Sequence, residues 1–166
     1  AGKVALINSC LSSLPMFLMG FYLLSAGIHA GFDKHRGAFY WNATDNKQKY
    51  RLVKWQLMCR PKNLGGLGII NTMVMNKCLL IKWWWKIMTT GADSLWYSIL
   101  KAKYFPQSSP LFASARGGSQ FWKNLVKVRP IFLEHVKFTV GNGLVVRFWL
   151  DWWSGDAPLA VSFPVL

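Results

Sequence analysis

Residues Thr72–Met88, TMVMNKCLLIKWWWKIM, carry the clearest helical pattern in the chain. Four apolar side chains recur at the spacing that places them on one face of an α-helix: Met73, Leu80, Trp84 and Ile87. Lys82 and Lys86 lie one turn apart on the opposite face. Three consecutive tryptophans point in three directions, so the helix needs neighbours on most sides. An aromatic stripe at this spacing is more often core than a platform for stacking bases.

Just before this helix, the stretch Arg60–Ile69, RPKNLGGLGI, has three glycines in four positions and resembles a phosphate-binding loop at first sight. A P-loop requires G-x4-G-K-[ST], and a dinucleotide fingerprint requires G-x-G-x-x-G after a strand. Neither spacing is present. We therefore interpret Gly65, Gly66 and Gly68 as a tight turn that needs positive φ angles, and not as a nucleotide site.

Periodicity and breakers predict a mainly helical remainder of the chain. Further helices are expected over residues 4–14, 28–41, 94–104 and 119–128. In the helix over 28–41, the expected apolar side is Ile28, Phe32, His35 and Phe39, with Lys34 and Arg36 outside it. His35 is interpreted as a packed core or boundary histidine. Residues 4–24 carry no charge, but Pro15 divides them, which favours an amphipathic helix over a membrane span.

A β-hairpin is predicted near the C-terminal end. Phe138–Val140 and Val145–Trp149 have strand-like composition, and the Gly-Asn-Gly between them contains Asn-Gly, which favours a two-residue hairpin turn. Asp151, which lies among tryptophans, is interpreted as a salt-bridge partner of a residue such as Arg147 or as a cap, and not as a catalyst. The expected fold class is mainly α with a C-terminal β-hairpin, α+β overall.

The charge balance indicates a polyanionic partner. The 166 residues include 20 Lys and Arg against 6 Asp and Glu, a formal net charge of +14, while 52% of the chain is hydrophobic. No acidic residue occurs between Asp45 and Asp93, a span that holds nine lysines and arginines. Unpaired positive charge at this density repels itself, which favours nucleic acid or an anionic membrane as partner. The apolar content excludes low-hydrophobicity disorder.

The three cysteines, Cys10, Cys59 and Cys78, are widely spaced and odd in number. The sequence shows no secretory signal, so we expect an intracellular protein, in the nucleus or the cytoplasm, with reduced thiols. No C-x2-C spacing is present, and we do not expect zinc in this chain.

The glycine turn and its flanks carry a resemblance to a known family. The motif begins with Leu52-Val53-x-Trp55 and continues through Cys59-Arg60-Pro61-Lys62 into Gly65-Gly66-Leu67-Gly68-Ile69. Further segments follow in the same order: Asn76-x2-Leu79-Leu80-x-Lys82-Trp83, Leu100-x-Ala102-Lys103-Tyr104, Phe121-Trp122 and Gly141-Asn142-Gly143-x2-Val146-Arg147-Phe148-Trp149-x-Asp151-x-Trp153. This pattern is similar to plant LINE-type (non-LTR) retrotransposon reverse transcriptases, in the region between the polymerase palm and the C-terminal zinc-binding segment.

The resemblance implies an RNA-directed DNA polymerase that copies its own transcript at a nicked chromosomal target. The family holds two divalent metals on palm aspartates in a Tyr-x-Asp-Asp motif, which this sequence lacks, so catalysis and its metals are expected in the palm and no cofactor in this chain. The implied division is thumb-like helices over 1–45, a basic, Trp-rich helical connection over 46–130, and a β-hairpin and loop over 131–166 that lead toward the zinc-binding segment.

The sequence therefore predicts a noncatalytic part of such a polymerase, with two expected partners: the backbone of an RNA/DNA duplex and the palm of the same polypeptide. The residues expected to contact phosphate are Lys34, Arg36, Lys47, Lys49, Arg51, Lys54, Lys62, Lys82 and Lys86. Two alternatives stay open. The chain could be a retroelement relic without independent activity, or a small basic membrane-associated protein that uses residues 4–24.

Overall fold

The regular secondary structure of the described residues is helical. The computed structural model describes residues 2–41, 52–89, 94–143 and 146–164. Within these ranges the α-helices are α1 (Gly2–Leu6), α2 (Met16–Met19), α3 (Ala26–Trp41), α4 (Trp55–Met58), α5 (Thr72–Thr89), α6 (Leu95–Tyr104), α7 (Gln120–Glu134) and α8 (Leu159–Ser162). A π-helical turn, Ile7–Leu11, continues α1, and 3-10 turns form at Lys62–Leu64 and Pro110–Phe112. The helices predicted over 28–41, 72–88 and 94–104 are confirmed, within two residues at each end.

The chain divides into two compact units, residues 1–80 and residues 81–166, with the boundary inside α5. The division into parts at 45 and 130 that the sequence resemblance implies stays a prediction.

A small apolar core holds the first unit together. Ile7, Met58 and Ile69 are buried at its centre. Partly buried side chains surround them: Val4, Leu11, Tyr40, Trp41, Trp55, Cys59 and Leu67. The π-turn, α4 and the segment after the glycine turn each contribute one central residue, so this core joins elements that are distant in sequence.

The buried face of α5 in the first unit is partly polar. Leu80 is buried as predicted, but Met73 is 43% exposed, and Thr72 and Asn76 are buried instead. The Asn76 side chain donates to the carbonyl oxygens of Met19 (2.7 Å) and Tyr22 (2.8 Å) and accepts from the Leu24 amide (2.8 Å). The loop after α2 thus receives from Asn76 the hydrogen bonds that its own backbone does not supply.

The buried face of α3 differs from the predicted one. His29, Arg36 and Gly37 are buried, whereas Ile28 and His35 are exposed, so the predicted apolar face is wrong. Arg36 can be buried because its guanidinium donates to Asp33, to Ser12 Oγ (2.8 Å) and to the Ile70 carbonyl (2.8 Å).

The other two buried residues of α3 pack against neighbouring elements. Gly37 lies against the Trp55 ring, and a Cβ there would meet the ring at 3.6 Å. The packed histidine is His29, which is hydrogen-bonded to Thr72 Oγ1 at 3.0 Å.

An aromatic cluster forms the core of the second unit. The Trp84 and Trp122 rings are both fully buried, with centroids 6.0 Å apart. Tyr104 stacks on Trp122 at 4.6 Å, and Phe132 stacks on Trp84 at 6.3 Å. Both buried indoles are satisfied: Trp84 Nε1 donates to the Leu125 carbonyl (2.7 Å) and Trp122 Nε1 to that of Ser114 (2.9 Å). The expectation that Trp84 belongs to the core is confirmed.

Helix α7 extends six residues beyond its predicted end. Ser119 caps its start by accepting from the Trp122 amide. The helix then continues through Pro130, which is exposed, to Glu134. The buried face of α7 runs on beyond the proline as far as Phe132, and this packing outweighs the hydrogen bond that the proline removes.

The predicted β-hairpin is not formed, and no strand occurs in the described residues. Phe138–Val140 is irregular, and residues 148–150 form a turn in place of a second strand. The Asp151 amide donates to the Arg147 carbonyl at 3.1 Å, and the Asp151 carboxylate accepts from the Arg147 amide at 2.8 Å. This closed turn bends the chain where the second strand was expected. The ion pair between Arg147 and Asp151 is confirmed (2.6 Å), although it does not brace a hairpin.

The uncharged N-terminal segment is interrupted. The π-turn ends at Leu11 and α2 begins only after Pro15. Among the helices that the structure describes, none combines the length and the apolar character needed to cross a bilayer.

Candidate nucleic-acid interface

The glycine turn uses its own amides internally. Gly65 and Gly68 have φ angles of 78° and 67°, and a Cβ on Gly66 would lie 2.0 Å from the Arg60 carbonyl oxygen. The amides of residues 65 to 68 all donate to backbone carbonyls of residues 58 to 62. A phosphate cradle requires such amides to point at the ligand, so this segment is a tight turn, as predicted.

The predicted phosphate-contact residues lie on several elements. In the first unit, Lys34 (on α3), Lys54 (just before α4) and Lys62 (in a 3-10 turn) are all exposed. Arg36 is buried, and its guanidinium is occupied by groups of the protein itself. Lys47, Lys49 and Arg51 lie outside the described residues.

In the second unit, Lys82 and Lys86 form an exposed pair on α5. They lie one turn apart, about 6 Å along the helix axis. The Lys86 ammonium lies 5.4 Å from the centroid of the Trp83 ring, a cation–π contact that orients this side chain while leaving it exposed.

A second lysine pair with the same spacing was missed. Lys123 and Lys127 are both exposed on α7, on the side opposite the buried residues Trp122 and Leu125. The sequence signal was available, because two lysines four residues apart in a segment with a strong apolar periodicity predict a basic helix face.

Arginines and lysines have different roles in the described residues. Arg36 and Arg147 pair with Asp33 and Asp151, and these are the two ion pairs seen in the ranges that the structure describes. Arg129 is half-buried, lies 5.9 Å from the centroid of the Trp84 ring and donates to the Ala113 carbonyl at 2.9 Å.

Burial, and secondly the charge of Arg147, lower the pKa of Arg129. The Arg129 guanidinium is thus held by contacts within the second unit.

The described lysines, by contrast, are exposed. Seven of them form no ion pair with a carboxylate of the described ranges: Lys34, Lys54, Lys62, Lys82, Lys86, Lys123 and Lys127. In the described ranges, Arg36 and Arg147 are thus paired with aspartates, of which Asp151 is buried, whereas the lysines carry their charge at the surface.

The described residues offer no cluster of three or more His, Cys, Asp or Glu that could hold a metal ion. Cys59 is half-buried beside α3, and burial, followed by the Asp33 carboxylate, raises the pKa of its thiol. A neutral thiol of this kind is a packing group.

Two plant proteins are similar to this chain over most of its length. A protein of Arabidopsis thaliana named "Putative ribonuclease H protein At1g65750" is 32% identical over 163 residues, which is 96% of this chain and 26% of the relative. A second, "Uncharacterized mitochondrial protein AtMg00310" from the same plant, is 29% identical over 146 residues, or 87% of this chain and 94% of the relative. The chain is distantly homologous to both. It spans about a quarter of the first relative and nearly all of the second. No family model and no solved structure matches the chain.

Proposed function

We propose that this chain is a noncatalytic part of a LINE-type reverse transcriptase polypeptide and contacts the sugar–phosphate backbone of its template–primer duplex. The observation that carries the proposal is a set of exposed lysines that have no carboxylate partner in the described residues: Lys34, Lys54, Lys62, Lys82, Lys86, Lys123 and Lys127. Such a surface recognises phosphates and not base sequence.

The distant relatives support a nucleic-acid role. The first is named for ribonuclease H, an activity on RNA, and this chain aligns with only a quarter of it. The remaining three quarters leave room for catalytic parts elsewhere in a longer polypeptide of this kind. In this proposal the divalent metals and the polymerase chemistry belong to a palm, and this chain supplies positive charge beside it.

The proposed contact residues are seven of the exposed lysines, three in the first unit and four in the second. They are Lys34, Lys54, Lys62, Lys82, Lys86, Lys123 and Lys127. Arg36 is left out because its guanidinium is buried and occupied. Lys47, Lys49 and Arg51 stay in the set as sequence predictions.

The test is the salt dependence of duplex binding by the whole chain. The affinity for a labelled RNA/DNA hybrid of about 20 base pairs is measured by fluorescence anisotropy at about 50 to 200 mM KCl. With four phosphates neutralised, the expected slope of log K against log[salt] is about −3.6, and affinity falls roughly 150-fold across this range. Two unrelated hybrid sequences should bind equally.

A matched pair of variants locates the contacts. Lys54→Gln with Lys62→Gln should reduce the magnitude of the slope by about 1.8, whereas Lys54→Arg with Lys62→Arg should leave it unchanged, because the charge is kept. Affinity that does not depend on salt in the wild type would refute backbone contact.

An apolar surface in the first unit supports the second proposed partner, the palm of the same polypeptide. Leu14 and Phe17 are each 76% exposed, next to the exposed Leu18. Contiguous exposed apolar side chains of this size mark surface that another domain covers. Replacing Phe17 and Leu18 by Ser should raise the solubility of the isolated chain and leave its duplex affinity unchanged. If solubility does not change, this surface is not a docking face.

A further inference from the structure

Trp85 differs from its two tryptophan neighbours in being left at the surface. Trp84 is fully buried, and the Trp83 ring packs edge-to-face on Trp96 and Phe121, each at 5.4 Å. Trp85 is 56% exposed, and its ring contacts no aromatic side chain in the described ranges. An indole exposed to this extent presents an aromatic face that a group from outside the chain can contact.

Trp85 forms one wall of a groove in the second unit. The groove has a volume of about 440 Å³, and Met88, Phe132, Val136 and Phe138 line it with apolar surface. Thr139 and the Gly141–Gly143 segment also line the groove. Its size lies in the range of small-ligand sites, and a flat aromatic ring fits a wall of this composition.

Positive charge flanks the exposed indole. Lys82 lies one turn before Trp85 on the exposed side of α5, and Lys86 follows it directly. Neither ammonium pairs with a carboxylate in the described residues. Lys137 also lines the groove, but it donates to the Gly155 carbonyl at 2.7 Å and lies 5.5 Å from the Trp152 ring centroid.

We infer that this groove binds one unpaired base of a single-stranded polynucleotide. The base stacks on the Trp85 indole, and the phosphates on either side of it meet Lys82 and Lys86. Charge complementarity selects a polyanion as the occupant, and the exposed ring selects an unpaired base, because bases inside a duplex have both faces covered by their neighbours. The inference rests on the proposed function and adds to it a site for the strand beyond the duplex.

The experiment compares two probes of equal charge on the whole 166-residue chain. One is an oligothymidylate of about 12 nucleotides, and the other is an abasic oligonucleotide of the same length, which keeps the phosphates and lacks the bases. The wild type should bind the thymidylate more tightly. Trp85→Ala should weaken thymidylate binding roughly 5- to 100-fold and leave abasic binding unchanged. Trp85→Phe, which keeps a stacking face, should retain most of the preference.

A charge control uses two lysine pairs in the same unit. Lys82→Gln with Lys86→Gln should weaken binding of both probes and reduce the magnitude of the salt slope by about 1.4. Lys101→Gln with Lys103→Gln removes the same charge from α6, where Lys103 also lies over a ring, that of Tyr104 at 5.5 Å. This control pair should leave the preference for bases intact.

The outcomes separate the inference from the proposed function. If the hybrid duplex binds with the expected salt slope while Trp85→Ala leaves the thymidylate preference unchanged, the base site is refuted and the backbone proposal stands. The base site is also refuted if Trp85→Ala alters only self-association of the chain, because the groove is then a protein-docking face. If no polynucleotide binds the wild type, both fail.

Discussion

Replacing Asn76 by Asp tests how the first unit is held together. The change keeps the size and shape of the side chain, so it leaves packing intact and alters hydrogen bonding and charge. Asn76 donates to the carbonyls of Met19 and Tyr22 at 2.7 and 2.8 Å, and a carboxylate cannot donate. Its bond from the Leu24 amide survives, because the acceptor oxygen remains.

The magnitude follows from the two lost donors. Each of the two hydrogen bonds contributes about 1 kcal/mol, and the buried Met19 carbonyl left unsatisfied costs a further 1 to 3 kcal/mol, whereas the part-buried Tyr22 carbonyl can bond water. The carboxylate must also be buried against two carbonyl oxygens, since Asn76 is fully buried. We expect Asn76→Asp to lower the free energy of unfolding by about 4 kcal/mol at pH 7. With an m-value of about 2 kcal/mol per M, the urea midpoint falls by about 2 M.

A control on the same helix should behave in the opposite way. Asn71 precedes the first turn of α5 and only accepts, from the amides of Met73 and Val74 at 3.0 and 3.2 Å. Asn71→Asp keeps both bonds and adds negative charge at a helix N-terminus, so stability should rise by about 0.5 kcal/mol or stay unchanged. Urea unfolding followed by far-ultraviolet circular dichroism measures both variants.

The pH dependence of the stability of Asn76→Asp gives a second test of the same reasoning. Burial against carbonyls raises the folded-state pKa of the carboxyl introduced at position 76, so its protonated form, which can donate one bond, is favoured. The penalty should therefore be fully present at neutral pH and shrink as pH falls through that raised pKa. Equal effects of Asn71→Asp and Asn76→Asp, or a loss below about 1 kcal/mol at Asn76, would refute the hydrogen-bond reasoning.

Three further predictions concern single sites. Asp151→Ala breaks a pair whose carboxylate is fully buried and should lower unfolding free energy by about 3 kcal/mol in thermal denaturation. Cys59 should react with iodoacetamide more slowly than the exposed Cys10 at about pH 8, because burial and its raised pKa leave less thiolate; mass spectrometry of tryptic peptides follows both. Gly66→Ala places a methyl group against the Arg60 carbonyl and should cost at least about 2 kcal/mol in urea unfolding.

Each of these predictions has a control. Asp156 is exposed, so Asp156→Ala should change stability by less than about 0.5 kcal/mol, and a similar loss at both aspartates would contradict the buried pair. A Cβ on Gly141 meets nothing within 4 Å, so Gly141→Ala should be tolerated. If Gly66→Ala is as well tolerated as Gly141→Ala, residue 66 does not lie against the Arg60 carbonyl as the structure has it. Equal alkylation rates would contradict the burial of the Cys59 thiol.

Most helix positions could be predicted from the sequence because the signals for a helix, apolar spacing and helix-breaking residues, lie within the helix or next to it. Apolar spacing and breakers placed α5 and α6 within one residue at each end, and Pro15 separates α2 from the preceding turn. The extension of α7 through Pro130 was missed because the prediction treated the proline as an end signal, although apolar residues continue the buried face beyond it.

The faces of the helices were harder to predict, because polar side chains in the core are stabilised by distant groups. Arg36 is buried since the Ile70 carbonyl and Ser12 hydroxyl accept from it, and neither partner can be read from the local sequence. The prediction of a β-hairpin was wrong because a side-chain contact outweighs the local turn signal. Asn-Gly is a local turn signal, but the ion pair between Arg147 and Asp151 closes a different turn in the adjacent segment.

For the candidate site, composition predicted the sign of the charge but not its location. Twenty basic residues look alike in a sequence, yet a guanidinium can bond several fixed acceptors at once, whereas an ammonium is a compact, strongly hydrated charge on a flexible stem. Arg36, Arg129 and Arg147 therefore serve the fold, and the lysines keep their charge at the surface.

The three consecutive tryptophans also look alike in the sequence but have different positions in the structure. Successive helical residues are rotated by about 100°, so three in a row cannot all face one core. Which one faces out depends on the partners of α5, and the packing of Trp83 and Trp84 leaves that position to Trp85, between two lysines.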